Sequence, residues 1–296
     1  MPEISVILPV YNAEQYIAEA VNSILNQTFN DFECIIINDG STDNSLTILQ
    51  ELAKKDPRIV LVSRENKGLI ATLNEAISHA KGKFIARMDA DDIALPLRLE
   101  KQYHYLTKNP TVAVLGTGYR FISESGEIGR KRHTLSTFND VKASLFFGNP
   151  IAHPSVMINY QLLGKQYRYK EHYKTIEDFE LWCRISQKYK IENLKEVLLH
   201  SRLLATSISG QNIDKQITMA AKVLWQQTAL KSKKSAIKIP QTTYCYSINS
   251  ANYIQLLLAC FKLNWLNFFN PSVKRLNLFK RSVYALLAAS RKNLRR

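Results

Sequence analysis

Apolar runs alternate with amphipathic stretches over the first part of the chain. Residues 4–8 and 32–37 are largely apolar and rich in β-branched side chains, which predicts two buried strands. Between them, residues 14–26 place apolar side chains three and four positions apart, which is typical of a helix that packs by one face. The alternation continues with strands predicted at 59–62 and 84–88 and helices at 46–52 and 71–80. Strands separated by helices of about 10–15 residues predict an α/β fold with a mostly parallel sheet flanked by helices.

The pattern changes after residue 95. Pro96 lies near the start of a predicted helix that continues to Leu106. Three further strands and one further helix are predicted, at 112–115, 155–158 and 197–199 and at 178–189. After Gly210 the composition shifts to Lys, Gln, Asn, Leu and aromatic residues, which indicates a domain boundary.

The net charge of +15 is confined to the end of the chain. Residues 1–210 contain 25 Lys and Arg against 24 Asp and Glu, whereas residues 211–296 contain 15 against one. A near-neutral body excludes a uniformly basic nucleic-acid coat protein, and a composition of 46% hydrophobic and 22% charged residues excludes disorder throughout. We predict one domain over 1–210, with halves at 1–95 and 96–210, and a separate basic α-helical extension over 211–296.

Cysteine usage indicates a reducing compartment. Cys34, Cys183, Cys245 and Cys260 form no C-x-x-C pair and have no histidines at ligand spacing, which disfavours a zinc module and a disulfide framework. The start of the chain lacks the basic segment of a signal peptide, and no run of about 20 apolar residues is free of polar breaks. We therefore expect a cytoplasmic protein without a spanning helix.

Three carboxylates lie within four residues, at Asp89, Asp91 and Asp92, directly after the predicted strand 84–88. Like charges this close repel one another unless a cation lies between them, and Mg2+ or Mn2+ prefers carboxylate ligands combined with phosphate oxygens. An acidic turn that caps the next helix is the alternative interpretation. Taken alone, the acidic turn is the more common explanation of such a motif, although Asp39 also lies at the carboxyl end of a predicted strand, where ligands of parallel sheets bind. The motifs at the other strand ends decide in favour of a ligand site.

Each of the first four predicted strands ends in a short motif. These are Leu8-Pro9-Val10-Tyr11-Asn12, Asn38-Asp39-Gly40-Ser41, Glu65-Asn66-Lys67-Gly68 and Met88-Asp89-Ala90-Asp91-Asp92. In this order and at these spacings, the chain resembles the family 2 glycosyltransferases of bacterial polysaccharide type, which are inverting enzymes with a GT-A-type nucleotide-sugar fold. The resemblance extends from about residue 3 to residue 210.

The resemblance implies how the base of a nucleotide would be held. Pro9, Val10 and Tyr11 would wall the base, and Asp39 would accept a hydrogen bond from it, uracil being the common case. The family often has an arginine where Leu73 stands, so one nucleotide contact of the family is left unsupported here.

The resemblance also implies positions around the sugar and the phosphates. Lys67 and Gly68 would lie near the base or the sugar, and Asp89 would lie near the ribose. Asp91 would bind the Mn2+ or Mg2+ ion that bridges the two phosphates.

A second acidic motif, Glu177-Asp178, resembles the acceptor side of the same family. The resemblance implies that Asp178 is the general base that deprotonates the acceptor hydroxyl, with Glu177 and Trp182 supporting the acceptor. Asp178 and Trp182 are four residues apart and therefore share one helix face. An acidic helix start followed by a core tryptophan explains the same segment without any catalytic role.

Two further residues are candidates for supporting roles. His153, before a predicted strand, could reach the donor phosphates or the acceptor, although a histidine in such a place is more often structural. Many relatives have a Tyr-Arg-x-His motif whose histidine helps to hold the metal, and here Ser201 and Leu204 take the Tyr and His places. The metal would therefore lack one protein ligand, for which Arg202 or His200 would compensate.

The basic extension has two amphipathic stretches, at 253–269 and 273–287, with aromatic residues on the apolar side and Lys and Arg on the other. This composition is typical of helices that lie on an anionic membrane surface. Packing on the catalytic body is the alternative, and nucleic-acid binding is not expected because no binding motif is present.

The sequence thus predicts a metal-dependent, inverting glycosyltransferase on the inner face of the cell membrane. It would move one sugar from a nucleotide-diphosphate donor, UDP-linked in the common case, to a hydroxyl of a glycan or lipid-linked acceptor in surface polysaccharide synthesis. A sugar nucleotidyltransferase is one alternative, but the Pro9-Val10-Tyr11-Asn12 segment is not the Gly-rich loop that such an enzyme needs. A non-catalytic sugar- or lipid-binding adaptor is the other alternative.

Overall fold

The computed structural model describes residues 1–132 and 134–204 and short segments of the basic extension. Those segments are 216, 218–220, 222–224, 260–261, 264, 276–283 and 285. Residues 276–283 are helical, whereas most of the predicted stretches 253–269 and 273–287 lies outside the described residues. Within the residues that are described, no helix is both long enough and apolar enough to cross a membrane.

Packing divides the chain into two compact units. The first unit comprises 1–134, 151–174 and 192–207, and the second comprises 135–150, 175–191 and 208–296. These units interleave along the sequence, whereas the predicted halves follow one another at residue 95. The domain boundaries at residues 95 and 210 stay predictions.

In the described part of the chain, nine strands form one sheet. They are β1 (Ile4–Val10), β2 (Phe32–Asp39), β3 (Ile59–Arg64), β4 (Phe84–Arg87), β5 (Ile93–Ala94), β6 (Val112–Ile122), β7 (Ile128–Arg132), β8 (Met157–Asn159) and β9 (Lys190–Arg202). Their order across the sheet is β3-β2-β1-β4-β8-β6-β9-β5, and β7 pairs with β6. Strands β1 to β4 pair in parallel, whereas β4–β8, β8–β6, β6–β7 and β5–β9 pair antiparallel.

Within residues 1–204, apart from the undescribed residue 133, there are seven α-helices. The first unit holds α1 (Ile17–Leu25), α2 (Ser45–Lys55), α3 (Leu69–His79), α4 (Arg98–Lys108) and α6 (Tyr160–Leu163), and the second unit holds α5 (Phe138–Ser144) and α7 (Glu177–Ile185). Helix α1 buries Ile17, Ala20, Val21 and Ile24, the positions whose spacing predicted it. Helix α3 packs on β1 and β2, and both strands are buried along their whole length.

The α/β fold predicted from the sequence is confirmed, and the strands β1 to β4, which pair in parallel, all precede residue 95. Several later elements differ from the prediction. Strands β6 and β9 extend well beyond the predicted 112–115 and 197–199, and α7 ends at Ile185 instead of at residue 189. Strand β7 was not predicted, because all five of its residues are exposed and it has no buried apolar face.

Candidate active site

Hydrogen bonds join the loops that follow β1 and β2. Asn12 lies in the left-handed region at φ 47°, and its Oδ1 accepts a hydrogen bond from Thr42 N at 2.8 Å. The main-chain N of Asn12 donates to Ser41 Oγ at 3.0 Å, and Ala13 N donates to Ser45 Oγ at 2.8 Å. Asparagine tolerates this backbone conformation better than most residues do, so the turn and its cross-links support each other.

The three predicted base-wall residues differ in exposure. Pro9 and Val10 belong to β1 and are buried, whereas the side chain of Tyr11 follows the strand and is exposed, at 53% of its full area. Of these three residues, Tyr11 therefore offers a ring that a ligand could stack on.

Asp39 is buried at the end of β2 and holds the following loops through its carboxylate. Its Oδ1 accepts hydrogen bonds from Arg64 Nη1 and from Lys67 N, the latter at 2.7 Å. Its Oδ2 accepts one from Gly68 N at 3.0 Å. Since a carboxylate oxygen can accept two hydrogen bonds, Oδ2 keeps one position that a ligand N–H could fill.

Arg64 was missed by the sequence analysis, and it is the main support of Asp39. Its guanidinium also donates to Glu75 Oε2 at 2.7 Å and to Thr72 Oγ1 at 3.0 Å, both on α3. One feature of the sequence could have indicated Arg64. It is a charged residue just after a predicted strand, directly before the Glu65-Asn66-Lys67-Gly68 motif. Leu73, the position where the resemblance led us to expect an arginine, is fully buried.

Glycine is required at position 40 by both conformation and space. Gly40 has φ 68°, and a Cβ there would lie 2.6 Å from Asn66 N. The loops after β2 and β3 therefore approach each other more closely than any residue other than glycine would allow at position 40. This approach is what brings Lys67 N and Gly68 N to the carboxylate of Asp39.

Asp89 is paired with a buried arginine. The guanidinium of Arg87, on β4, binds both carboxylate oxygens of Asp89, with Nη1 to Oδ2 at 2.6 Å. Arg87 was also missed by the sequence analysis, because a charged residue inside a short buried strand gives no indication of its partner. The ion pair fixes the start of the acidic turn, residues 89–92.

The other two carboxylates of the acidic turn lack such compensation. The Asp91 carboxylate accepts a hydrogen bond from its own backbone N–H, but burial, followed by the charge of Asp89, raises its pKa to about 6. Asp92 Oδ1 accepts a hydrogen bond from Arg202 N at 2.9 Å, while Oδ2 is buried without a partner in the described part of the chain. Burial, then Asp89 and Asp91, raises the pKa of Asp92 well above its usual value. Carboxylates in this state favour a bound cation.

Arg202 lies beside the acidic turn, but not as a metal ligand. Its guanidinium donates to the main-chain oxygens of Asp91, Ser123 and Glu124 and to the carboxylate of Glu19. A guanidinium has only donors, so the expectation that Arg202 could replace the missing histidine ligand is wrong.

His153 belongs to a buried polar chain in the first unit. Its Nε2 lies 2.7 Å from the hydroxyl of Tyr169, which in turn lies 3.3 Å from the hydroxyl of Tyr167. Burial, together with the positive charge of Arg87, lowers the pKa of His153 well below its usual value. The ring is therefore neutral near pH 7.

Asp178 is the second residue of α7, in the second unit. Its Oδ2 accepts a hydrogen bond from Asn149 Nδ2 at 2.7 Å, and its Oδ1 accepts one from Phe179 N at 2.6 Å. Glu177 is half-buried beside it. Thr175, just before the helix, has φ 78°, a strained conformation for a β-branched residue. Asn149 was not predicted as the partner of Asp178, because the two residues are 29 positions apart in the sequence and meet only in the folded chain.

Trp182 has no exposed area, so in this structure its ring is not open to an acceptor, the role that the resemblance implied. It belongs to a buried stretch of α7 that includes Glu180, whose carboxylate pairs with Arg184 at 3.1 Å. The alternative interpretation, a tryptophan in the core of its unit, fits the structure.

Solved structures of other proteins share the fold of this chain, as two of them show. The crystal structure of S. aureus TarS 1-349 in complex with UDP-GlcNAc matches with a TM-score of 0.64 at 17% identity, covering 90% of this chain and 81% of that chain. The mannosyltransferase PcManGT from Pyrobaculum calidifontis, in complex with GDP-Man and Mn2+, matches with a TM-score of 0.59 at 16% identity, covering 99% and 87%. At these identities the likeness supports the fold alone.

Comparison of the sequence with known proteins identifies the family to which the chain belongs. The model of glycosyl transferase family 2 matches residues 5–171. The O-antigen biosynthesis glycosyltransferase WbnJ of Escherichia coli is 39% identical over 204 residues, which cover 68% of this chain and 79% of WbnJ. The resemblance drawn from the strand-end motifs is thereby confirmed, and the nucleotidyltransferase and adaptor alternatives are set aside. The chain belongs to glycosyl transferase family 2 and is a glycosyltransferase.

Proposed function

We propose that this glycosyltransferase moves one sugar from a nucleotide-diphosphate donor to a hydroxyl of a glycan or lipid-linked acceptor, with metal dependence and inversion at the anomeric carbon. The observation that carries the proposal is the acidic turn, where Asp91 has a half-buried carboxylate whose pKa is raised to about 6 by burial and by the charge of Asp89. Surface polysaccharide synthesis is the context, because WbnJ is named for O-antigen biosynthesis.

Asp39 and Tyr11 would recognise the base. The open acceptor position on Asp39 Oδ2 suits a ring N–H, which uracil and guanine both present. The bound nucleotides of TarS and PcManGT contain these two bases. Tyr11 offers an exposed ring for stacking, and Lys67 and Gly68 close the loop around Asp39. UDP-linked sugars are the donors to test first.

The residues of the acidic turn fit a divalent cation, Mn2+ or Mg2+. Asp89 is neutralised by Arg87 and Asp92 is held by Arg202 N, so Asp91 is the carboxylate left for the ion. Among the described residues no three His, Cys, Asp or Glu side chains converge as a ligand set, so donor phosphates would complete the coordination. A bound cation would stabilise the charge that develops on the diphosphate leaving group. Asp89 would lie near the ribose.

Asp178 is the proposed general base. Asn149 Nδ2 and Phe179 N each donate a hydrogen bond to one of its two oxygens and so orient the carboxylate. As the acceptor oxygen forms its bond to the anomeric carbon, the bond from that carbon to the diphosphate oxygen breaks. The hydroxyl proton passes to Asp178, and the nucleoside diphosphate leaves from the opposite face. Glu177 would support the acceptor.

The basic extension would hold the enzyme at an anionic membrane surface, on the cytoplasmic side. Residues 211–296 contain 15 Lys and Arg against one acid, and each basic side chain near anionic lipid contributes on the order of 1 kcal/mol. This location would suit a lipid-linked acceptor. Flotation of the full chain with vesicles of anionic and of neutral lipid tests the location, and equal partitioning to both would contradict it.

A donor panel tests the reaction. The purified chain is incubated with UDP- and GDP-linked sugars and Mn2+, and release of the nucleoside diphosphate is measured with and without EDTA. We expect one donor to be hydrolysed, EDTA to stop the release, and added Mn2+ or Mg2+ to restore it. Release that persists in EDTA would refute metal dependence, while no release from any donor would refute the proposed donor class.

A further inference from the structure

Arg202, the last residue of β9, uses its whole guanidinium to tie three separate segments together. Nε donates to Asp91 O at 2.9 Å, Nη1 donates to Ser123 O at 3.1 Å and Glu124 O at 2.9 Å, and Nη2 donates to Glu19 Oε2 at 2.6 Å. The side chain is only 2% exposed. Every nitrogen of the fork therefore has a partner, which a lysine could not reproduce.

The main chain of the same residue binds the acidic turn a second time. Arg202 N donates to Asp92 Oδ1 at 2.9 Å, while the Arg202 side chain binds the carbonyl of the preceding residue, Asp91. Arg202 thus holds both the Asp91 carbonyl and the Asp92 carboxylate. Because the Asp91 carbonyl and the Asp91 side chain share one Cα, fixing this carbonyl restricts the directions in which the Asp91 carboxylate can point.

Two residues hold the guanidinium itself, one directly before α1 and one in its first turn. The ring of Tyr16 lies 4.5 Å from the Arg202 guanidinium carbon, and Glu19 provides the opposite charge. Glu19 is 55% exposed, so its substitution removes the ion pair without opening the core. The arrangement is a buried arginine fixed by one accessible carboxylate, which allows its contribution to be tested separately from folding.

We propose that Arg202 is a positioning residue that orients Asp91 for the metal–diphosphate complex, acting through the Asp91 carbonyl and the Asp92 carboxylate. The inference rests on the proposed function of Asp91 as the metal ligand. A purely structural role would change stability when Arg202 is replaced, but it would leave the affinity for the metal unaltered.

The test measures Mn2+ binding directly, by the electron paramagnetic resonance signal of free Mn2+ during titration of the full chain. The titration is run with UDP and, in parallel, with GDP. The variants are Arg202→Gln, Arg202→Lys and Glu19→Ala. Arg58→Gln is the matched control, because Arg58 also binds a carboxylate, Asp56, and a carbonyl, that of Leu25, away from the acidic turn.

We expect Arg202→Gln to weaken Mn2+ binding by about tenfold or more, the usual effect of removing a residue that orients a metal ligand. Arg202→Lys should weaken it to a similar extent, because the charge alone does not restore the fork. Glu19→Ala should weaken it by about two- to fivefold, and Arg58→Gln should not change it. Thermal unfolding of each variant shows whether it is folded, and Glu19→Ala decides the question if neither Arg202 variant folds.

The outcomes separate the two levels of the proposal. If the unsubstituted chain fails to bind Mn2+ both in the presence of UDP and in the presence of GDP, the proposed metal site is wrong. The inference about Arg202 is then wrong as well. If the unsubstituted chain binds Mn2+ and the folded Arg202 and Glu19 variants bind it equally well, the inference alone is wrong.

Discussion

The guanidinium of Arg64 donates a hydrogen bond to the carboxylate of Asp39 across two neighbouring strand ends. Replacing Arg64 with Gln removes this charged contact and its bond to Glu75. A hydrogen bond to a charged group contributes about 1.5–3 kcal/mol, so we expect nucleotide affinity to fall by about tenfold or more. Isothermal titration with UDP or GDP measures the change.

Lys67 provides the matched comparison, since its main-chain N, and not its side chain, binds Asp39. Lys67→Ala should leave nucleotide affinity within about twofold of the unsubstituted chain, because its side chain makes no hydrogen bond or ion pair with the part of the chain that the structure describes. A tenfold loss in Lys67→Ala would instead show that its ammonium group contacts the nucleotide. Unchanged affinity in Arg64→Gln would contradict the role given to Arg64.

Metal removal tests Asp91 by a separate route. The Asp91→Asn variant should release no nucleoside diphosphate above background at any Mn2+ concentration, because an amide is a poor ligand for a hard cation. The unsubstituted chain treated with EDTA should recover full activity when Mn2+ is returned. An Asp91→Asn variant that recovers activity in the same way would exclude Asp91 as the ligand.

Asn149 orients the proposed base, so its effect should be on the catalytic rate and not on donor binding. Asp178→Asn should lower kcat by about 10²–10⁴-fold, the usual contribution of a general base. Asn149→Ala should lower kcat by about tenfold, because Asp178 then loses the hydrogen bond at 2.7 Å. Steady-state kinetics with the donor found in the panel measure both.

Asp140 is the control for these two variants. It is a helix-start carboxylate in the same unit, where it accepts a hydrogen bond from Thr137 Oγ1 at 2.6 Å. Asp140→Asn should keep the kcat of the unsubstituted chain. An equal loss of kcat in Asp140→Asn and Asp178→Asn would mean that the losses come from disturbance of the unit and not from base catalysis.

His153 should make the stability of the protein depend on pH. Burial, with Arg87 second, lowers its pKa in the folded state well below its usual value of about 6.5. The unfolded chain therefore binds a proton that the folded chain does not, and the free energy of unfolding falls as the pH drops below about 6.5. The decrease from this one group is at most about 1.4 kcal/mol per pH unit.

The variant His153→Gln isolates this contribution, because glutamine retains a polar atom near the hydroxyl of Tyr169 and does not titrate. Urea unfolding at several values between pH 5 and 7.5 should show a shallower decrease for His153→Gln than for the unsubstituted chain. Parallel curves for the two proteins would mean that His153 titrates normally in the folded state.

The sequence predicts the parallel half of the fold well, because β1 and β2 are buried on both faces and their apolar runs have no other explanation. Strand β7 could not be predicted in the same way, since an exposed strand has no buried face to mark its period. The extended strands β6 and β9 were underestimated for a related reason. Their outer segments carry polar residues such as Arg120, Lys195 and Glu196, which follow no apolar alternation.

The residues of the candidate site also differ in how far the sequence alone predicts them. Asp39, Asp91 and Asp178 follow from short local motifs, and the roles given to them stay predictions. Arg64, Arg87 and Asn149 support these carboxylates through contacts that only the folded chain creates. Trp182 shows the opposite error, since a motif assigned it to a ligand although packing had buried it.

Gly40 and Gly68 form a natural pair for the last prediction, since both have positive φ but differ in the space around them. A Cβ at Gly68 would meet nothing within 4 Å, whereas a Cβ at Gly40 would lie 2.6 Å from Asn66 N. Gly68→Ala should therefore lower the free energy of unfolding by about 1 kcal/mol, from backbone strain alone. Gly40→Ala should lower it by at least about 2 kcal/mol, because the loop after β3 must also move.

Urea unfolding of both variants measures the difference in stability. Nucleotide affinity should also fall in Gly40→Ala, because Lys67 N and Gly68 N are drawn away from Asp39. Equal losses of stability in the two variants would show that the loop after β3 yields without cost, and that the close approach does not hold Asp39 in place.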